Sequence, residues 1–183
     1  MKTLKKTLAL VMAFAMLLSL TSCGKVKEYD ADGITSVLED KLGIEEDNIY
    51  ITEIEGSGDI PGGTSITAQY EDARINVLIA DDADKLKDLF EGYYDDLTDT
   101  LKDGDFDGSY KNALTDSFGY VVLKGEQPGS TLGTRFATGS IYAGLYYTGS
   151  MFVMIIPEGL GDSKDGMTDN VGKVIDAFGF PNV

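Results

Sequence analysis

The chain of 183 residues has no histidine, no tryptophan and one cysteine, and these gaps exclude much of the usual catalytic chemistry. Without histidine there is no Ser–His or Cys–His nucleophile pair and no histidine-ligated zinc or iron. One cysteine allows no internal disulfide, so packing alone must stabilise the fold. The nucleophile-elbow and P-loop patterns are also absent. We therefore expect a domain that is not an enzyme.

Basic residues are scarce: 15 Lys and Arg stand against 31 Asp and Glu, a net charge of −16. So acidic a surface repels nucleic acid, which excludes nucleic-acid binding as the expected function. It favours a cationic partner or a basic protein surface. The same acidity is also typical of an exposed domain that simply has to stay in solution.

The first residues form a short leader. Lys2, Lys5 and Lys6 give a basic start, residues 8–20 are apolar except Ser19, and small polar residues lead to Cys23. This order is typical of a secretory signal peptide. The apolar run is too short for a permanent spanning helix, which needs about 20 residues.

The end of this leader, Leu20-Thr21-Ser22-Cys23, resembles the lipobox of bacterial lipoproteins. The resemblance covers the first 23 residues and implies cleavage before Cys23, with a diacylglycerol on its thiol. It implies a protein anchored on the outer face of the cell membrane, and Gly24 with the lysine-rich leader favours a Gram-positive surface. The leader holds three lysines and no acid, so its removal takes the net charge from −16 to −19. The alternative is a secreted protein with a free thiol.

We expect a signal peptide over 1–22, a lipidated tether over 23–31 and a single α+β domain over 32–183. Helical spacing of apolar residues predicts helices over 34–42, 81–101 and 167–178. Alternation and short apolar runs predict strands over 48–55, 64–70, 73–80, 118–123, 137–147 and 151–156. Short turns favour a mainly antiparallel sheet of about six strands, packed by about three helices in a two-layer sandwich. The element order suggests an αβββ-αβββ-α pseudo-repeat.

The segment DGDFDGSY suggests calcium, the one cofactor that the sequence indicates. Alternating aspartates before a turn glycine place several oxygens around one ion, as in the opening of an EF-hand loop. The candidate ligands are Asp103, Asp105, Asp107 and Ser109. The pattern then fails, because Lys111 stands at position 9 and Leu114 replaces the bidentate glutamate at position 12. The alternative is a solvated acidic turn.

Two further features suggest binding surfaces. Arg135, one of two arginines, lies in the glycine-rich segment 125–140 and is a candidate for binding an anionic group; the alternative is a pairing with a neighbouring carboxylate. Tyr142, Tyr146 and Tyr147 share a predicted strand, so one face of it is core and the other can present aromatic rings to a partner. The alternative is that a helix covers this second face as well, so that these tyrosines only pack in the core.

Together these features favour a lipid-anchored, extracytoplasmic binding or accessory module. A calcium-responsive structural module is the first alternative, because of the aspartate segment. A hydrolase that uses a pair of carboxylates is the second. With 31 acids in the chain, no pair stands out.

Overall fold

The computed structural model describes residues 24–102, 106–127, 139–157 and 164–183. Three helices are present: α1 (Ala31–Ser36, continued by a π turn, Val37–Lys41), α2 (Ala83–Lys102) and α3 (Lys164–Phe178). Glu46–Asn48 forms a 3-10 turn. The strands are β1 (Ile49–Ile54), β2 (Gly63–Tyr70), β3 (Ala73–Ala80), β4 (Asp107–Leu114), β5 (Phe118–Gln127), β6 (Gly139–Thr148) and β7 (Met151–Pro157).

Several elements begin and end at residues that cap or turn the chain. Asp30 accepts a hydrogen bond from Gly33 N at 2.9 Å and so caps α1. Asp82 accepts from Lys85 N at 3.1 Å at the start of α2. The two-residue turn between β6 and β7 has Gly149 first, with φ of 55°, as its sequence predicts.

The strands form one seven-stranded sheet in the order β1-β2-β3-β7-β6-β5-β4, and each neighbouring pair is antiparallel. This confirms an antiparallel α+β fold, but the sheet has one strand more than expected. The extra strand is β4, which we expected to be a polar loop. Six of its eight residues are exposed, because β4 is an edge strand and needs no apolar face.

Helices cover both faces of the sheet, so the expected two-layer sandwich is wrong and the fold has three layers. One apolar cluster joins α1 and α3 to one face and includes Tyr146 of β6. A second cluster joins α2 to the other face and includes Leu145 of β6. Successive strand residues point to opposite faces, and β6 is apolar on both, which requires a helix on each side.

The expected αβββ repeat is not confirmed. The two runs of strands meet where β3 pairs antiparallel with β7, so a repeat would need a two-fold axis perpendicular to the sheet. Such an axis would place the helix that precedes each run of strands on the same face of the sheet. Instead α1 and α2 lie on opposite faces.

Candidate functional site

The segment that follows Cys23, residues 24–30, lies against the folded domain. Val26 is only 6% exposed and belongs to the apolar cluster under α1 and α3. Glu28 accepts a weak hydrogen bond from Ser150 N at 3.4 Å, in the turn between β6 and β7. Residues expected to form a tether therefore contact the domain, and the folded unit begins before residue 32.

Tyr29 joins this segment to the last residues of the chain. Its hydroxyl donates to the carbonyl oxygen of Phe178 at 2.7 Å, and its ring meets that of Phe178 edge-on with centroids 5.9 Å apart. The Lys27 ammonium lies over the Tyr29 ring, 4.4 Å from its centroid. The cation–π contact and the hydrogen bond together hold the segment in one place.

An open cleft of about 440 Å³ lies beside this segment. We call this part of the molecule the anchor end. It is defined by the residues that line the cleft: Lys25, Val26 and Glu28, Ala83, Asp84 and Lys87 of α2, the turn at 116–118, and residues 147–149. Lys87 bridges two elements there, with its ammonium 3.6 Å from Glu91 and 3.7 Å from Asp116.

Two titratable groups of the anchor end, Lys87 and Tyr147, have pKa values that are raised further from neutral pH. The Glu91 carboxylate, with a further contribution from Asp116, raises the pKa of Lys87, so its amine stays protonated near neutral pH. Burial raises the pKa of the Tyr147 hydroxyl, which stays neutral. A nucleophile or general base needs a pKa near the working pH, and neither group meets that condition.

The described part of the chain offers no metal cluster and no buried acid. No group of three His, Cys, Asp or Glu side chains comes together there. The buried polar side chains of that part are Thr98 and Thr148, so none of its carboxylates is buried. A carboxylate-pair hydrolase, which relies on a desolvated acid, gains no support from these residues.

Among the predicted site residues, Cys23, Asp103, Asp105 and Arg135 lie outside the described residues. Asp107 and Ser109 lie in β4, opposite Glu126 and Lys124 of β5. Their side chains share one face of β4 with Lys111, since residues two apart point the same way. A cation next along that face does not favour calcium, and the calcium site stays a prediction.

Of the two interpretations of the β6 tyrosines, the aromatic binding surface is wrong and the core role is confirmed, because helices cover both faces of the strand. Tyr146 is fully buried and its hydroxyl donates to the Pro181 carbonyl at 2.9 Å. Tyr142 donates to the side-chain oxygen of Asn182. Tyr147, on the opposite face, stacks on Phe90 of α2 with ring centroids 5.4 Å apart.

Large apolar side chains are exposed elsewhere: two adjacent ones lie on β1, and the other described ones are Ile60, Tyr110 and Leu114. Tyr50 is 64% exposed and Ile51 is 53% exposed. An open cleft of about 580 Å³ lies at the start of the strand, and Tyr50, Tyr70, Glu45 and Glu71 are among its lining residues. The sequence analysis predicted this strand but not its exposed surface, because the residues of a strand do not record that it lies at the edge of a sheet. A usable signal was present: no lysine or arginine occurs between Lys41 and Arg74.

No helix in the described ranges combines the length and the apolar character needed to cross a bilayer. No protein-family model matches the chain, and no curated protein matches it significantly. Among solved structures, a crystal structure of a GTP binding regulator from Thermotoga maritima covers 86% of this chain and 92% of its own, at 13% identity and a TM-score of 0.38. So low a TM-score carries neither fold nor function from that protein to this one.

Proposed function

We propose that this protein is a lipid-anchored, non-enzymatic binding module on the outer face of a cell membrane, with Cys23 as the attachment residue. The observation that supports it most is the arrangement of the leader: basic start, short apolar run, small residues and cysteine in that order. The folded domain begins almost directly behind that cysteine, where a lipid anchor would hold it at the bilayer.

The distance between lipid and domain follows from the buried valine. Two residues, Gly24 and Lys25, separate Cys23 from Val26. Three peptide steps therefore join Cys23 to Val26, and at roughly 3.3 Å per step they reach about 10 Å, so the anchor end lies close to the lipid headgroups. Lys25 and Lys27 are exposed there and attract anionic headgroups, each by about 1 kcal/mol. The acids of the rest of the domain are repelled from the same surface.

Replacing the cysteine tests the anchor. In a bacterial host that processes lipoproteins, the native chain should sediment with membranes and enter the detergent phase on phase separation. Cys23→Ala removes the thiol that would carry the diacylglycerol. We expect most of that variant to leave the membrane fraction or to remain as an unprocessed precursor with its leader attached.

Lys25→Ala is the matched control, since it changes a neighbouring exposed residue and leaves the thiol in place. It should stay in the detergent phase like the native chain. The proposal would be contradicted if the Cys23→Ala variant, with its leader removed, entered the detergent phase to the same extent as the processed native chain.

A further inference from the structure

Strand β1 ends the sheet, and its outer side is open. Its six residues pair with β2 on the inner side, from Ile49 opposite Ala68 to Ile54 opposite Gly63. No described strand lies on the other side. Over about 20 Å, the outward N–H and C=O groups of β1 are therefore available to another extended chain.

The side chains of β1 expose apolar surface on both faces of this edge. Tyr50 and Ile51 are neighbours and so point to opposite faces, and each is more than half exposed. A strand that pairs with β1 would place its own side chains beside both of them. Such cross-strand contacts contribute to the stability of a sheet in addition to the backbone hydrogen bonds.

The chain segment that contains β1, residues 42–73, carries negative charge alone. Between Lys41 and Arg74 the acids are Glu45, Glu46, Asp47, Glu53, Glu55, Asp59, Glu71 and Asp72, with no lysine or arginine among them. The ion pairs in the described part of the chain are made by Lys87 and Lys102 of α2. None of the eight acids forms an ion pair with a described lysine or arginine, and the one lysine that reaches this segment, Lys85 of α2, donates to the Gly58 carbonyl at 3.1 Å.

The other edge of the sheet is different in character. Strand β4 also exposes an aromatic residue, Tyr110, at 41%. It carries Lys111 within the strand, and the neighbouring β5 carries Lys124. Lysine on an edge strand is a common protection against pairing with another chain. Strand β1 has no lysine and no proline, so it lacks that protection.

We propose that the outer edge of β1 binds an extended, lysine- or arginine-rich segment of a partner protein, which adds to the sheet as an eighth strand. The backbone supplies the pairing, and the acids around β1 select for positive charge. The cleft at the start of β1 fits a basic side chain, because its lining combines the carboxylates of Glu45 and Glu71 with the ring of Tyr50.

A second copy of this chain is a poor occupant of the same edge. Paired antiparallel, two β1 strands would bring the acids that precede one strand, Glu45, Glu46 and Asp47, close to Glu53 and Glu55 at the end of the other. Like charges brought together in this way destabilise a strand pair. The net charge of −16 adds repulsion at longer range.

This inference rests on the proposed binding role, but it does not depend on lipidation. Residues 24–183 contain every described element and both apolar clusters, so they serve for the test. The probe is a fluorescein-labelled seven-residue peptide of alternating lysine and valine. We expect saturable binding below about 1 mM, weakened by a rise from 50 to 500 mM NaCl. Amide NMR shifts should concentrate on residues 49–54.

Two matched comparisons locate the binding. Ile51→Lys should weaken the affinity at least tenfold, whereas Tyr110→Lys on β4, with the same new side chain and charge, should leave it unchanged. The peptide N-methylated at alternate residues should bind at least tenfold more weakly, because it cannot pair as a strand. A peptide with glutamate in place of lysine should not bind.

The proposal is overturned by no binding of the lysine peptide up to 1 mM, by equal binding of the N-methylated peptide, or by equal effects of the two lysine variants. Concentration-dependent dimers that shift the amides of residues 49–54 without peptide would also overturn it, in favour of a second copy. Thermal melts of both variants check that they are folded. A negative result here leaves the membrane partition of the Cys23→Ala variant unaffected, so the two proposals fail separately.

Discussion

At the scale of single residues, tyrosine hydroxyls provide polar links inside a chain that has no histidine. Tyr29, Tyr142 and Tyr146 all reach the C-terminal residues, and the hydroxyls of Tyr29 and Tyr146 donate to backbone carbonyls there. Phe180 packs on Tyr146 with ring centroids 4.5 Å apart. A buried hydroxyl needs such a partner, because an unsatisfied one costs roughly 1–3 kcal/mol. The residues that follow α3 therefore pack against the core, and Phe180 is buried in it.

The buried Tyr146 predicts a loss of stability at high pH. Burial raises the pKa of its hydroxyl well above 10.0, whereas the unfolded chain has the ordinary value. Above pH 10 the unfolded state loses this proton and the folded state keeps it. Stability is thus complete below pH 10 and falls as the pH rises toward the folded-state pKa. Between pH 10 and 11, the free energy of unfolding measured in urea titrations should fall by about 1 kcal/mol less in Tyr146→Phe than in the native chain.

At pH 7, Tyr146→Phe should lower the free energy of unfolding by about 1–2 kcal/mol, since the Pro181 carbonyl loses its hydrogen-bond donor. Tyr50→Phe is the control, because Tyr50 lies on the surface and should leave the alkaline slope as in the native chain. An unchanged slope in Tyr146→Phe would mean that Tyr146 ionises alike in the folded and unfolded states.

At the scale of elements, prediction succeeded where one side of an element must be apolar. Strands β2 and β3 alternate and α2 repeats its apolar residues at helical spacing, so their bounds agree with the sequence to within two residues. It failed for the edge strand β4, and it placed the other edge strand, β1, to within one residue without showing that β1 lies at the edge. An edge strand can be polar or apolar on either face, and its position in the sheet is decided by long-range pairing.

The segment 24–30 shows a similar limit. Its charged residues, among them Lys25, Lys27 and Glu28, are typical of a tether. Two apolar contacts nevertheless hold the segment against the domain. Val26 and Tyr29 reach the core while the charged side chains between them stay in solvent. Two apolar residues in a short charged segment cannot be recognised as buried unless the structure of the surface they pack against is known.

Burying a charge at Val26 should therefore destabilise the whole domain. In residues 24–183, Val26→Asp loses an apolar contact and places a carboxylate in an apolar site, which we expect to cost about 2–4 kcal/mol. Urea unfolding followed by circular dichroism measures the change. It should appear as a lower midpoint with the same slope, since the extent of the folded state is otherwise unchanged.

Lys25→Asp is the matched control, with the same new side chain one residue earlier at an exposed position. It should change the free energy of unfolding by less than about 0.5 kcal/mol. Similar midpoints for the two variants would show that the segment is a free tether after all.

At the scale of the whole molecule, the anchor end and the cleft at the start of β1 lie at opposite ends of the sheet. Ala80 at the end of β3 donates to Ser150 in the turn between β6 and β7, so these strand ends meet at the anchor end. The register of β1 and β2 with β3 puts Ile54 there and Ile49 at the far end. On a membrane, the cleft beside Tyr50 would face away from the bilayer and toward a partner.

The candidate site was only partly predictable. Cys23 and its leader form a local pattern, so the sequence alone is enough to predict the lipid anchor, which stays a prediction. The apolar residues on both faces of β6 require a helix on each side of the sheet. They do not show which helix covers which side. The β1 edge depends on which strand ends the sheet, and no local pattern records that.

The most direct test of the account is the mass of the N-terminal peptide of the protein purified from membranes. We predict a peptide that begins at Cys23 and carries a diacylglyceryl group on its sulphur, with no trace of residues 1–22. An N-terminus at another residue, or an unmodified Cys23 thiol in the membrane-bound protein, would contradict the lipid anchor and with it the placement of the domain at the bilayer.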